Sequence, residues 1–412
     1  MHRKRLRKCA LTQVNGGIMV TLDRRKFVNL SGGVAGVAAV SGGLAGAALE
    51  AVPAAAAAGK KPMLVKLGCQ SGPSTDEHFA FLARYGIKNI VSNPERTDRS
   101  RRFSTADELK DLRQRAAQHG LSVDMTSSFM GSDSPPAIML GTPARDQEIE
   151  DFKTQLRNCA EAGVPALKYN LPIMPILRSA VIPGRGDTFN HRWRISEMQN
   201  SPLMTIWDGG SLTKGEMHDR PIDTVEGWQK VVGKPSADEL WSRIGYFLER
   251  VVPVANECKV RMALHPEDCG VPPEGYHGVP QVLGTIDGLK RFVTMHDSPY
   301  HGLAFCQGTI SEDLPDPRTQ IHEAIHWFGS RKKIFLVHFR NVRGHRDDVV
   351  IEIFPDEGDV DMVKAVRSYR DVGYDGMLVP DHIPMGPDGS GPANFAFCYG
   401  YIRGLLQSAA EA

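Results

Sequence analysis

No charge of one sign dominates this chain: 49 Lys and Arg stand against 48 Asp and Glu over 412 residues, a formal net charge of +1 at pH 7. Binding to nucleic acid or to an acidic partner usually needs a basic face, so the balance argues against either. Cysteine is scarce and no CxxC pair occurs. Beyond Cys9 near the start, Cys69, Cys159, Cys258, Cys269, Cys306 and Cys398 are spaced too irregularly for the disulfide framework of a small secreted domain, and most read as buried thiols. Glycine and proline, at 41 and 27 residues, stay near ordinary usage, which excludes collagenous or low-complexity bulk. Repeats of solenoid type are also missing. What is there is the composition of a soluble globular protein, 41% hydrophobic and 24% charged, long enough for one large domain or two smaller ones.

Residues 1–58 read as a leader segment. Asp23, Arg24, Arg25, Lys26 and Phe27 precede Asn29 to Leu49, a stretch free of charge and rich in Gly, Ala and Val, with Pro53 and the alanine run Ala54 to Ala58 behind it. Paired arginines, a weakly apolar core and a small-residue cleavage zone resemble a twin-arginine export signal. The expectation is export to the periplasm or another extracytoplasmic space with cleavage near the alanines, a cytoplasmic location being the alternative. Retention as a membrane anchor is disfavoured, because a span wants about twenty strongly apolar residues and glycine dilutes this one. Gly32, Gly33 and Gly36 do not form a dinucleotide loop, since no strand precedes them.

From Met63 onward short apolar runs alternate with longer amphipathic ones. Strands are expected at Leu64 to Gly68, Ile87 to Ser92, Leu121 to Met125, Ala166 to Asn170, Val260 to His265, Gly302 to Cys306, Ile334 to His338 and Met377 to Pro380. Helical stretches lie between them, with Ser104 or Thr105 placed to cap one and Gly86, Gly120, Gly163 and Gly373 where helices should end. Strands each followed by a helix predict an α/β fold, a (β/α)₈ barrel over residues 59–412. Residues 171–235 form an insertion after the fourth strand, too long for a plain βα loop and read as an active-site cover.

The reactive face of such a barrel lies at the carboxyl ends of its strands. There the fifth strand ends in His265, the sixth in Cys306 and the seventh in His338, and the eighth runs through Val379 and Pro380 into Asp381 and His382. Singly, Cys306 reads as a buried thiol and each histidine as a hydrogen-bonded strand end. Together, imidazole nitrogen, thiolate and carboxylate on one rim are competent ligands for a divalent transition metal, with positions left open for substrate oxygens.

These residues also carry a family resemblance. RMALHPED from Arg261, then HGVPQVLGT, SPYHGLAFCQGT, VHFRNV, GDVDM and VPDH resemble the mannonate dehydratases, metal-dependent lyases on a xylose-isomerase-like barrel; order and spacing match from Ala237 to Asp381. The first half matches more thinly, through the barrel rhythm and the KYN of Lys168, Tyr169 and Asn170. The resemblance implies that His265, Cys306, His338 and Asp381 bind Mn²⁺ or a similar ion such as Fe²⁺, and that His382 is an acid/base group. The chain departs from the family in having Val379 where an arginine usually precedes PDH, Phe354, Pro355, Asp356 and Glu357 in place of a His-Leu-Asn-Gly run, and Asn394 to Phe397 where a tyrosine is usual. The metal ligands are kept while the residues expected around substrate differ, so the substrate is expected to be D-mannonate or a related sugar acid.

Arg340 and Asn341, just beyond His338, are candidate anchors for a sugar-acid carboxylate, with a salt-bridged surface arginine as the bland reading. Glu267 and Asp268 are placed to orient His265 or touch substrate, and Tyr169 and Asn170 to contact substrate. Trp193, Trp207 and Trp228 are equally suited to stacking on sugar rings and to packing the long insertion. The leading expectation is a metal-dependent hydro-lyase. A sugar isomerase or epimerase on the same barrel is the alternative, and a carbohydrate-binding protein without turnover the non-enzymatic one. A small sugar acid or sugar is the expected partner, with no nucleic acid and no stable membrane span after cleavage; a homo-oligomer stays open.

Overall fold

The computed structural model describes residues 61–70, 72–207, 212–217, 220–222, 224–272, 274–386 and 391–411. The leader, with Arg24 and Arg25, lies outside the described residues. The chain opens with β1 (Lys66–Cys69), α1 (Asp76–Arg84), β2 (Asn89–Val91), α2 (Ala106–Gln118), β3 (Ser122–Ser127), α3 (Ala137–Leu140), α4 (Arg145–Ala162) and β4 (Ala166–Tyr169). The insertion follows: β5 (Ala180–Pro183), β6 (Phe189–Arg194), α5 (Ile195–Gln199), β7 (Thr205–Trp207), β8 (Leu212–Met217), β9 (Arg220–Ile222) and α6 (Val225–Val232). The barrel resumes with α7 (Ala237–Cys258), β10 (Arg261–Leu264), α8 (Ile286–Met295), β11 (His301–Cys306), α9 (Gln307–Glu312), α10 (Pro317–Ser330) and β12 (Ile334–His338). A short excursion, β13 (Val342–Gly344) and β14 (Val349–Glu352), precedes α11 (Met362–Asp371), β15 (Met377–Val379) and α12 (Gly391–Glu411).

Among the described residues, eight parallel strands close into a barrel in the order β1-β15-β12-β11-β10-β4-β3-β2. The expected strands fall where this barrel has them, shifted by a residue or two at their ends. Local chemistry sets the helix boundaries. Thr105 caps α2 in a capping box: its hydroxyl accepts from the Glu108 amide at 3.2 Å, and the Glu108 carboxylate accepts from the Thr105 amide at 2.8 Å. Ser236 and Glu239 repeat the device at α7. Gly163 ends α4 at φ +71°, a left-handed conformation that costs other residues strain, and a Cβ there would meet Arg113 at 2.7 Å.

A strand places residues i and i+2 on the same face, which sorts the barrel wall into two. Leu167 and Tyr169 of β4 point outward into the large core shared with α4 and α7, among Phe152, Leu156 and Phe247. Val91, Met125, Ala166, Ala263, Ala304, Leu336, Met377 and Val379 point inward and fill the barrel with an apolar layer. No polar group lies at those positions, so the chemistry must begin one step above them.

The insertion does not form a separate layer of helices. Its β5 and β6 join β14 and β13 in a four-stranded antiparallel sheet ordered β13-β14-β6-β5, while β7, β8 and β9 form a second small sheet. Trp193 and Trp228 are buried in it, with ring centroids 6.3 Å and 5.6 Å from that of Tyr276, and so pack the insertion. The Trp207 side chain lies outside the described residues. No described helix is long and apolar enough to cross a membrane.

Candidate active site

Two residues beyond the last inward apolar position of seven of the barrel strands stands a polar group at the strand's carboxyl end. The second half of the chain contributes His265 from the end of β10, Cys306 from β11, His338 from β12 and Asp381 from the end of β15; the first half contributes Asn93 just after β2, Ser127 on β3 and Lys168 on β4. Gln70 stands in the same relation to Gly68 of β1. One ligand atom from each of His265, Cys306, His338 and Asp381 lies within 4.8 Å of the others.

The hydrogen bonds of the two imidazoles assign where their protons are. His265 Nδ1 lies 2.6 Å from the Pro266 carbonyl, which can only accept, so Nδ1 carries the proton. His338 Nε2 lies 2.7 Å from Gln70 Oε1, an oxygen that also accepts from Lys168 Nζ at 3.1 Å, so here Nε2 carries the proton. The bare nitrogens that remain, His265 Nε2 and His338 Nδ1, face each other at 3.1 Å. Asp381 Oδ2 is 3.1 Å from the same His338 Nδ1 and is buried with no hydrogen-bond donor. Three acceptors thus converge with no proton among them, an arrangement that repels itself unless a cation sits between the lone pairs.

The local electrostatics agree. Burial pushes His338 down to about 4 and His265 well below its ordinary value, so both rings are neutral ligands. Burial opposes the charge of Asp381, but the charged His382 ring and the Arg340 guanidinium help hold its carboxyl well below the usual range and it stays ionised. The Cys306 thiol, pushed up to about 12 by burial, accepts a hydrogen bond from Thr309 Oγ1 at 3.1 Å. It becomes an anion only if a metal replaces its proton. The residues present therefore fit a divalent ion with mixed N, S and O preference.

Beside this cage lies a buried charged network. His382 sits at φ +44°, a backbone conformation sparsely used outside glycine and often met at functional sites. Its Nδ1 is 2.6 Å from Glu352 Oε1, and its Nε2 is 3.8 Å from Asp381 Oδ2. Burial alone would lower His382, but the carboxylates of Asp381 and Glu352 outweigh it and its pKa is raised. Glu352 comes from β14, so the small sheet built by the two insertions is what delivers the partner of His382. Arg178 and Arg340 complete the network: Arg178 binds Asp268 at 3.0 Å and also Glu352. Arg340 binds Glu312 at 2.8 Å, Asp268 at 2.9 Å and Glu352 at 3.0 Å.

Several expected substrate contacts are placed elsewhere. Arg340 is 3% exposed, its terminal nitrogens are held by three protein carboxylates and Gly308 packs against its Nε, so it braces the network and is closed to a substrate carboxylate. The Asn341 amide is fully engaged by the backbone of Val342, Pro355 and Val360. Both oxygens of Glu267 accept backbone amides, from Ile173 at 2.8 Å and Leu283 at 3.0 Å, and burial lifts this carboxyl to about 7; it pins loops and touches no ligand of the cage. Tyr169 faces the helix layer, with Phe152 at 5.2 Å between ring centroids. Asn170 is half-buried at the end of β4, its amide donating to the Met130 carbonyl. Asp268 does reach the network, through the two arginines. Val379 belongs to the inward apolar layer beneath the rim. Phe354 and Phe397 pack edge to face at 5.4 Å with the Arg185 guanidinium over both rings.

Gln70, Lys168, Arg178, Glu312 and Glu352 were not anticipated as site residues. Arg178 and Glu352 each interrupt an apolar run, IMPILRSAVI and VVIEIF, and a lone charge in such a run must find a buried partner. Gln70 and Lys168 follow from the two-residue step that locates the four ligands.

A (β/α)₈ barrel whose carboxyl rim gathers a cage of N, S and O ligands beside a carboxylate-held histidine defines the class: a TIM-barrel enzyme of xylose-isomerase-like architecture. The family model for D-mannonate dehydratase (UxuA) matches residues 82–411, and the chain belongs to that family, a hydro-lyase by class. A mannonate dehydratase of Thermotoga petrophila is 29% identical over 286 residues, 67% of this chain and 77% of that protein. Mannonate dehydratase 2 of Halalkalibacterium halodurans is 29% identical over 317 residues, 73% and 87% of the two chains. The crystal structure of mannonate dehydratase from Streptococcus suis serotype 2 shares the fold with a TM-score of 0.69 at 24% identity, covering 84% of this chain and 95% of that one.

Proposed function

We propose that the protein dehydrates D-mannonate or a closely related aldonic acid to the 2-keto-3-deoxy acid, with Mn²⁺ or Fe²⁺ held by His265, Cys306, His338 and Asp381. The observation that carries this reading is the convergence of His265 Nε2, His338 Nδ1 and Asp381 Oδ2 with no proton between them. When bound, such an ion supplies Lewis-acid stabilisation of the negative charge that develops beside a carboxylate as its α-proton leaves.

The protein groups handle protons and position. The C2–H bond breaks and its proton passes to a base; the electron pair forms the C2–C3 double bond as the C3–O bond breaks, and the hydroxyl leaves with a proton as water. The enol product then takes up a proton at C3 as it becomes the 2-keto acid. His382 is the group we assign to proton transfer at this site. Glu352, Arg178 and Arg340 all engage the ring at Nδ1, leaving Nε2 to face the cage and to exchange a proton with substrate. Arg178 and Arg340 keep Glu352 ionised against the cost of burial. An isomerase would instead shuttle a proton between neighbouring carbons with no loss of water. Incubating the Mn²⁺-loaded protein with a panel of aldonic acids and keto-sugars and assaying 2-keto-3-deoxy acids tests the reading; isomerised sugars without such a product would overturn it.

We also propose that the chain is exported through the Arg24–Arg25 signal, on the composition of the leader. The mature protein should then begin between Ala54 and Lys61, as read by mass spectrometry of the extracytoplasmic fraction. Full-length protein confined to the cytoplasm, unchanged when both arginines are replaced by lysine, would contradict it.

A further inference from the structure

The cations nearest the cage are not equally available. Arg178 is held by Asp268 and Glu352, and Arg340 by those two carboxylates and Glu312. Lys168 differs. It stands on β4 two residues above Ala166 of the inward layer, so its side chain points into the barrel mouth, and it is half-buried where Tyr169 and Leu167 are fully buried in the outer core. Its ammonium donates to Gln70 Oε1 at 3.1 Å and makes no ion pair among the described residues. Two of its three N–H donors are therefore uncommitted.

Charge balance gives this cation a use. Two neutral imidazoles, one carboxylate and one thiolate carry two negative charges, which a divalent ion offsets. A substrate that brings a carboxylate then adds a negative charge to a balanced cage, and a desolvated anion needs a counter-charge. On the β3 side of β4 the mouth offers only the neutral Ser127 and, one strand further along on β2, Asn93, whose Oδ1 is already engaged by Ser127 N at 2.7 Å and Thr126 Oγ1 at 2.8 Å.

We propose that Lys168 is a substrate-specificity residue whose ammonium pairs with the carboxylate of the sugar acid, held in place by Gln70, so that the site selects acids over neutral sugars of the same carbon skeleton. The inference rests on the sugar-acid reading above and deepens it. It also assigns Gln70 a double duty, orienting the His338 ligand and the Lys168 anchor through one oxygen.

The test is direct binding. Calorimetric titration of the Mn²⁺-loaded full chain carrying His382→Asn, in which turnover is suppressed and metal retained, with D-mannonate and with D-mannitol, which replaces the carboxylate by a neutral CH₂OH, measures the discrimination. Lys168→Met, matched in length, should weaken mannonate by ~30-fold or more, the scale for truncating one partner of a buried charge pair, while mannitol changes little. Lys168→Arg should recover part of the loss. Metal content and Tm of each variant separate an anchor from a brace: if Lys168 only supports Gln70 and His338, Lys168→Met loses metal and the acid-to-polyol ratio of the residual site is unchanged, which overturns the proposal. An unchanged ratio in a metal-replete Lys168→Met protein overturns it equally, and Lys168→Gln provides the same comparison should the methionine variant not fold. If the wild-type protein dehydrates mannonate and the ratio does not move, only this inference fails; if the wild type neither binds nor dehydrates an aldonate, the functional reading falls and takes the inference with it.

Discussion

His382 is the residue on which the proposed chemistry turns, and its surroundings say how. A histidine that merely braced the cage would need one hydrogen bond to a ligand, whereas this one is clamped on Nδ1 by Glu352 and holds Nε2 3.8 Å from the nearest oxygen of Asp381, beyond hydrogen-bond range. His382→Asn should therefore retain metal and thermal stability while kcat falls by ~100-fold or more, the lower range for removing a general acid or base. Metal content measured alongside turnover checks this; a variant that loses its metal while the remaining loaded fraction keeps its kcat would assign His382 to bracing. That His265, Cys306, His338, Asp381 and His382 meet at one rim was legible in the sequence because each sits at a fixed step from an apolar strand end, a short-range signal. Glu352 and Arg178 were not, since their contacts with His382 join positions far apart in the chain and depend on a sheet assembled from two separate insertions. Arg340 was misjudged for the same reason: its sequence neighbours show a basic residue beside a ligand strand, while the three carboxylates that enclose it come from three different elements.

Among the elements, α2 shows how a helix start can also fix a loop at the barrel mouth. Besides closing the capping box with Thr105, Glu108 accepts from the Thr97 amide at 2.8 Å and from Arg101 at 2.9 Å, so one carboxylate ties the β2–α2 loop to the first turn of the helix. Arg101 holds this carboxyl far below its ordinary value of 4.5. A group depressed in the folded state contributes stability that is present above the unfolded value and is lost as pH falls through the folded one. Thr105→Ala should cost ~1 kcal/mol, as for loss of an N-cap. Glu108→Gln should cost more at pH 7 than at pH 3, because at pH 3 the unfolded chain takes up a proton at this carboxyl while the folded one stays ionised, so part of the stabilisation is already lost. Urea unfolding of both variants at the two pH values checks the pair, and a penalty for Glu108→Gln that grows on acidification would contradict the assignment. The strands and helices were readable at this scale because alternation and caps are local. The insertion was readable only as something long, since its strands β5 and β6 find their partner in β14, which lies beyond three further barrel strands.

At the scale of the whole molecule, the cage is a cross-link among four neighbouring barrel strands, β10, β11, β12 and β15, whose ligands run from residue 265 to residue 381. Unfolding separates these residues, so an ion that binds the folded barrel and not the unfolded chain must stabilise it by mass action. At a free metal concentration one hundred times Kd the gain is ~2.7 kcal/mol, which in a folded unit of this size raises Tm by roughly 3–4 °C. Binding must also displace the proton from Cys306, whose thiol titrates only near pH 12 without metal. The metal-induced rise in Tm should therefore be larger at pH 8 than at pH 6, because a step that releases a proton is favoured as pH increases. Calorimetry of the chelator-treated protein with and without added Mn²⁺ measures both effects, and Cys306→Ala should show little of either. The same rise in Cys306→Ala as in the wild type would remove the thiolate from the cage, and no rise in the wild type at any pH would leave the convergence of His265, His338 and Asp381 without the cation that their lone pairs require.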